Sequence, residues 1–135
     1  MKTAERFFFP KSERLFLQKA IERLFSNGQS FLSYPLRIIY LPDNEIQNSS
    51  SGIAVLISVP KKRIKLAVNR NRIKRLIRET YRLQKNRLAK HYEQNSRRLH
   101  IAFHYIGNEM PSFTVIEKAM AKALKTIGTK ENVTE

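Results

Sequence analysis

The sequence predicts a two-layer α+β sandwich with the element order α-β-β-α-β-α. Three observations carry that prediction. Apolar residues recur at helical spacing in three separate stretches, and aromatic or β-branched runs bounded by turn formers lie between them. Of the 135 residues, 41% are hydrophobic, enough to fill one core, and the length leaves no room for a second domain of usual size.

Residues 12–26 read as the first helix. Leu15, Phe16, Leu17, Ala20, Ile21, Leu24 and Phe25 keep helical spacing, Ser12 stands ahead of them as a cap, and Asn27-Gly28 stops the run. Residues 30–41 read as a strand, in which Pro35 marks an edge position or a late start. Turn formers over 42–52 lead into a second strand, Gly52 to Val59, and the pair suggests an antiparallel hairpin. Pro60 ends that strand because it has no N–H to give a ladder.

Residues 67–90 read as the longest helix, with Ile73, Leu76, Ile77, Thr80, Gln84 and Leu88 on one arc. Residues 97–106 alternate as a third strand. Leu99, Ile101, Phe103 and Tyr105 take one face, and His100, Ala102 and His104 take the other. Residues 111–127 read as a last helix with Ser112 near its start. The division is therefore an extension over 1–11, one domain over 12–127 and a polar tail over 128–135.

The net charge is +15, with a pI near 10.5. Between Lys61 and Arg98 lie fifteen of the 26 basic residues, opposed only by Glu79 and Glu93, so this stretch carries +13 of the total. A single-sign block of that density points to a polyanion, a nucleic acid before a membrane surface. On the 67–90 helix, Asn71, Arg72, Lys74, Arg75, Arg78, Arg82 and Lys85 occupy the arc opposite Ile73, with Arg70 at its boundary. The absence of cysteine excludes a disulfide scaffold, a thiol nucleophile and a thiolate zinc site. No apolar run approaches the about 20 residues of a membrane helix, and the N-terminus makes a poor signal peptide, so a soluble cytoplasmic protein is expected.

Catalytic groups are scarce. There is no glycine-rich phosphate loop and the acids are scattered. His100 and His104 share a strand face but stand about 13 Å apart, too far to share a metal, and they read as solvent-facing or hydrogen-bonded strand residues before a contact to RNA on the open sheet face. No catalytic or metal-binding residue is assigned. Binding groups are plentiful: arginine forks suit phosphate oxygens, and Asn71 is able to read a base edge or a 2′-hydroxyl, or to bond its own backbone. Arg82, Lys85, Arg87 and Lys90 read as a solvated helix end, and Phe25, Tyr34 and Tyr40 as candidates for stacking on bases.

The string Asn69-Arg70-Asn71-Arg72-Ile73-Lys74-Arg75-Leu76-Ile77-Arg78-Glu79 resembles the RNR signature of the bacterial ribonuclease P protein component. It follows Ile57-Ser58-Val59-Pro60-Lys61-Lys62, similar to the family's segment at the same place, and Arg14-Leu15, Ile21, Phe25 and Gly28 match the spacing of its first helix. The resemblance implies a fold like the second domain of ribosomal protein S5, with a left-handed βαβ crossover against the usual hand. It implies a ribonucleoprotein that removes the 5′ leader of precursor tRNA. The RNA holds the catalytic magnesium and performs the hydrolysis, and the protein, monomeric on its own, binds that RNA and the leader. Carried over by position, Arg70, Asn71, Arg72, Lys74, Arg75, Arg78, Lys61 and Lys62 face RNA, while Phe25 and Tyr40 line the leader cleft. Ile21 replaces an aromatic of the family and Pro60 a serine. A basic domain for ribosomal RNA or duplex DNA, and an autonomous nuclease, are the alternatives.

Overall fold

The structure, a computed structural model, describes residues 11–42 and 52–133. The 43–51 loop, the extension ahead of Lys11 and the side chains of 11–18, among them Ser12, Leu15, Phe16 and Leu17, lie outside the described part. The elements are α1 (Lys11–Asn27), β1 (Gln29–Ser33), β2 (Leu36–Pro42), β3 (Gly52–Ser58), α2 (Ala67–Gln84), α3 (Asn86–Gln94), β4 (Arg98–Tyr105) and α4 (Phe113–Lys130). One mixed sheet has the strand order β1-β2-β4-β3.

The α+β sandwich stands, with three corrections in its elements. The 30–41 strand is two strands, because Pro35 cannot donate to a ladder; the chain turns at Tyr34–Pro35, a cis peptide, and β1 pairs antiparallel with β2. The hairpin across the 42–52 loop is not formed, because β4 inserts between β2 and β3. β4 runs antiparallel to β2 and parallel to β3. Burial drives that insertion: the almost wholly buried β4 needs a partner on each side, and a strand at the sheet's edge would leave one row of its peptide groups without a ladder. The 67–90 helix breaks at Lys85, which ends α2 and precedes α3. The break lets Leu88 and Tyr92 bury from α3, whose Glu93 reaches the start of β3 at Gly52. At the far end, α4 runs to Lys130, three residues into the expected tail, and Val133 N–H bonds the Gly128 carbonyl at 2.8 Å.

The two faces of the sheet have different fates. One face presents Leu36, Ile38, Tyr40, Val55, Leu99, Ile101, Phe103 and Tyr105, all buried in the main core with Ile73 and Ile77 of α2 and Ile116, Met120 and Ile127 of α4. The Ser33 hydroxyl donates to the Ala119 carbonyl at 2.8 Å and ties β1 to α4 beneath this layer. The other face carries α1 through Ala20 and Leu24, 6% and 2% exposed.

Gly28 fixes how closely α1 lies on β2. A Cβ there would stand 3.0 Å from both Ile39 Cγ2 and the Tyr40 carbonyl oxygen, and closer still to the Leu24 carbonyl. Gly28→Ala is expected to cost about 1–3 kcal/mol of stability, by the logic of overpacking, in a denaturant titration. Tyr92 poses the opposite case. Its hydroxyl is buried with no hydrogen-bond partner among the described residues, and burial pushes its pKa up to about 12. Tyr92→Phe is expected to raise stability by about 1 kcal/mol, since it removes a desolvated donor that makes no bond.

Candidate nucleic-acid interface

The amphipathic pattern of α2 determines where its charges point. Ile73, Ile77, Thr80 and Tyr81 are buried. The Thr80 hydroxyl, too deep for water, is satisfied by the Leu76 and Ile77 carbonyls at 3.0 Å each. Tyr81, missing from the arc read in the sequence, packs its ring 5.7 Å from Phe103. With that side committed to the core, Asn71, Arg72 and Arg75 are exposed, and Lys74 and Arg78 are half-buried beside them. Asn71 makes no side-chain hydrogen bond among the described residues, so the local-backbone alternative is not realised. Glu79 and Arg82 pair at 2.7 Å, and that contact holds the Glu79 carboxyl below the usual carboxylate range. The stripe's only acid is thereby neutralised by its own neighbour.

Lys61 and Lys62 stand exposed in the turn between β3 and α2. The turn closes through the Arg63 and Ile64 N–H groups, which both donate to the Pro60 carbonyl at 3.2 Å. Arg70 behaves differently from its neighbours in the motif. It is half-buried, and its Nη1 donates to the Ile64 and Lys65 carbonyls at 3.0 and 2.8 Å.

Phe25 and Tyr40, expected together in one cleft, are on opposite sides of the sheet. Phe25 is 53% exposed on α1, whereas Tyr40 is fully buried on the α4 side, its ring 6.0 Å from Phe31 and its hydroxyl donating to Gln29 Oε1. Tyr40 therefore lines no cleft beside α1. Along β2 every candidate from Ile38 to Leu41 is apolar or aromatic, so the strand's alternation gave no hint of which set faces the core. The α1 side takes Ile39 and Leu41 instead, and a crevice there is lined by Ala20, Ile21 and Leu24 of α1 and by Ala54, Leu56 and His100 of the sheet. Tyr34 is 71% exposed at the β1–β2 turn.

On this face Arg37 and Ser58 carry no assignment in the sequence, whereas His104 is read there as a strand-face residue beside His100. Arg37 of β2, His104 of β4 and Ser58 of β3 stand in register across three strands, beyond the rows that α1 covers. Arg37 is exposed, and His104 and Ser58 are half-buried. Loss of solvent, then Arg37 and Arg63, push the His104 pKa below its ordinary 6.5, so it is neutral at pH 7. The chain leaves this row at Ser58 and enters the Lys61–Lys62 turn within three residues, and that turn leads into α2. Only strand pairing reveals the row, since Arg37, Ser58 and His104 are far apart in sequence.

Among the described residues, no three of His, Cys, Asp and Glu gather as a possible metal cage. No described helix is long and apolar enough to cross a membrane.

Because the unfolded chain binds a proton at His104 more readily than the folded one, stability falls as pH drops through about 6.5. His104→Gln is expected to flatten the decline in thermal midpoint between about pH 7.5 and about pH 5.5. Scanning calorimetry of both proteins across that range checks it.

A family model described as Ribonuclease P matches residues 9–128. A ribonuclease P protein component of Porphyromonas gingivalis is 41% identical over 124 residues, covering 92% of this chain and 89% of that protein. One from Chlorobium phaeobacteroides is 33% identical over 129 residues, covering 90% and 88%. Among solved structures, the ribonuclease P protein of Thermotoga maritima superposes with a TM-score of 0.63 at 19% identity, covering 82% of this chain and 93% of that one. The Staphylococcus aureus protein gives 0.61 at 22% identity, covering 81% and 89%.

Proposed function

The chain belongs to the ribonuclease P protein family, the protein subunit of an endoribonuclease that matures tRNA, and from that premise we propose how it divides its surface between two RNAs. The outward face of α2, with Asn71, Arg72, Lys74, Arg75 and Arg78, binds the ribonuclease P RNA together with Lys61 and Lys62. The open face of the sheet beside Phe25 takes the 5′ leader of the precursor tRNA.

One observation supports this division. The Lys61–Lys62 turn links the Arg37–His104–Ser58 row of the sheet to the start of α2, so the chain joins two polar faces of different geometry through one basic turn. A helix face studded with guanidinium forks suits phosphates held rigidly in a structured RNA. A flat strand row on the sheet face that also carries α1, with its exposed Phe25, suits an unpaired strand, whose bases stack and whose backbone needs less charge. Hydrolysis belongs to the RNA, which holds most of the magnesium. The protein binds, orients and neutralises phosphates; it acts in the cytoplasm and is monomeric before assembly.

Reconstitution tests the reading. Protein, ribonuclease P RNA and precursor tRNA are combined at low magnesium and moderate salt, with each macromolecular component alone as a control. Efficient leader release by the mixture alone is expected. A mixture no faster than RNA alone returns the chain to the class of general basic RNA-binding domains. Arg72→Ala with Arg75→Ala is expected to lower the slope of log affinity against log salt by about 1.5, two phosphates at about 0.7–0.9 each. An unchanged slope removes the helix from the interface.

A further inference from the structure

The segment between Ser58 and α2 is held from both ends by arginines. At one end, Arg63 Nη1 donates to the Ile106 carbonyl at 2.9 Å and to Asn108 Oδ1 at 3.1 Å, which fastens the turn to the chain leaving β4. At the other, Arg70 Nη1 reaches back to the Ile64 and Lys65 carbonyls, fastening the same turn to the first turn of α2. Ile64, 6% exposed, pins the segment's middle in the core.

The segment needs such fastening. Lys61, Lys62, Arg63 and Lys65 crowd one sign of charge into five residues, and repulsion favours splaying. The helix offers little help of its own, since Leu66 at its N-cap makes no side-chain capping bond. Helical geometry separates Arg70 from the rest of the motif. It lies about 60° from Ile73, on the flank of Ile77 and Tyr81, whereas Arg72 and Arg75 lie about 100° and about 160° away on the solvent side. One guanidinium nitrogen satisfies two adjacent carbonyls there, which a lysine ammonium on its flexible stem holds far less rigidly.

We propose that Arg70 and Arg63 are positioning residues that hold the Lys61–Lys62 pair at the RNA surface. Arg70, which the family motif would place against RNA, acts through the loop. This rests on the reading that Lys61 and Lys62 contact the ribonuclease P RNA.

The test measures affinity of the full chain for that RNA against salt. The variants are Lys61→Ala with Lys62→Ala, Arg70→Lys, and the three changes combined. The lysine pair is expected to lower the slope by about 1.5. Arg70→Lys keeps the charge yet is expected to lower the slope by at least about 0.7, one phosphate, and the combined variant to fall no further than the lysine pair alone. A role in folding alone would move the thermal midpoint and leave the slope unchanged, which overturns the proposal. An Arg70→Lys loss that adds to that of the lysine pair also overturns it, since Arg70 would then touch RNA itself. If the lysine pair leaves the slope unchanged, both this proposal and the assignment of those lysines fall; an effect of the pair without one of Arg70→Lys sinks the brace alone. Arg63→Lys, read the same way, serves if Arg70→Lys does not fold.

Discussion

Burial of Ile73, Ile77, Thr80 and Tyr81 against the sheet fixes the rotation of α2 about its own axis, and the rest of the surface depends on that angle. A helix with this many cations gains nothing from its charges on folding. Like charges a turn apart repel, and the pairing of Glu79 with Arg82 offers some relief on the stripe. Apolar burial must outweigh that repulsion, at about 25 cal/mol for each Å² removed from water. Four buried side chains over two turns, meeting Phe103 in the middle of the sheet, provide a deep enough anchor to keep guanidiniums on display.

The central strand makes that anchor rigid. β4 has a ladder on each side, antiparallel to β2 and parallel to β3, and its alternate residues serve both layers. Leu99, Ile101, Phe103 and Tyr105 face the helices α2 and α4, while His100 and His104 face the α1 side. The Tyr105 hydroxyl donates to the Glu109 carbonyl and steadies the chain that leaves the strand, where Arg63 also bonds. The same strand thus supports the stripe from below and contributes His104 to the open row. Among the described residues, helices cover one face of the sheet, and on the other α1 leaves the Arg37–His104–Ser58 row uncovered.

Placement of charge follows a consistent logic. Arginines whose guanidiniums find carbonyls, Arg63 and Arg70, stiffen the backbone; Arg72 and Arg75, exposed on α2, make no hydrogen bond among the described residues. His104, pressed by two arginines and short of solvent, stays neutral and adds no further repulsion at neutral pH. Arg63 and Arg70, both half-buried, each have a backbone carbonyl as acceptor.

Periodicity along the chain determined the outward side of α2, the alternation of β4 and the cap at Ser112, whose hydroxyl accepts from Val115 N–H at 3.2 Å. These are short-range matters: one turn of helix or two residues of strand decide them. The charge block and the RNR string were legible for the same reason. The chain could not disclose by itself that Pro35 makes two strands of one, that β4 enters between β2 and β3, or that Tyr40 turns into the core. Nor could it show that Arg70 bends back to its own loop, or that Arg37, Ser58 and His104 form one row. Each of these depends on which distant segments pair, and pairing is settled by the competition for burial across the whole core, which only the tertiary structure resolves.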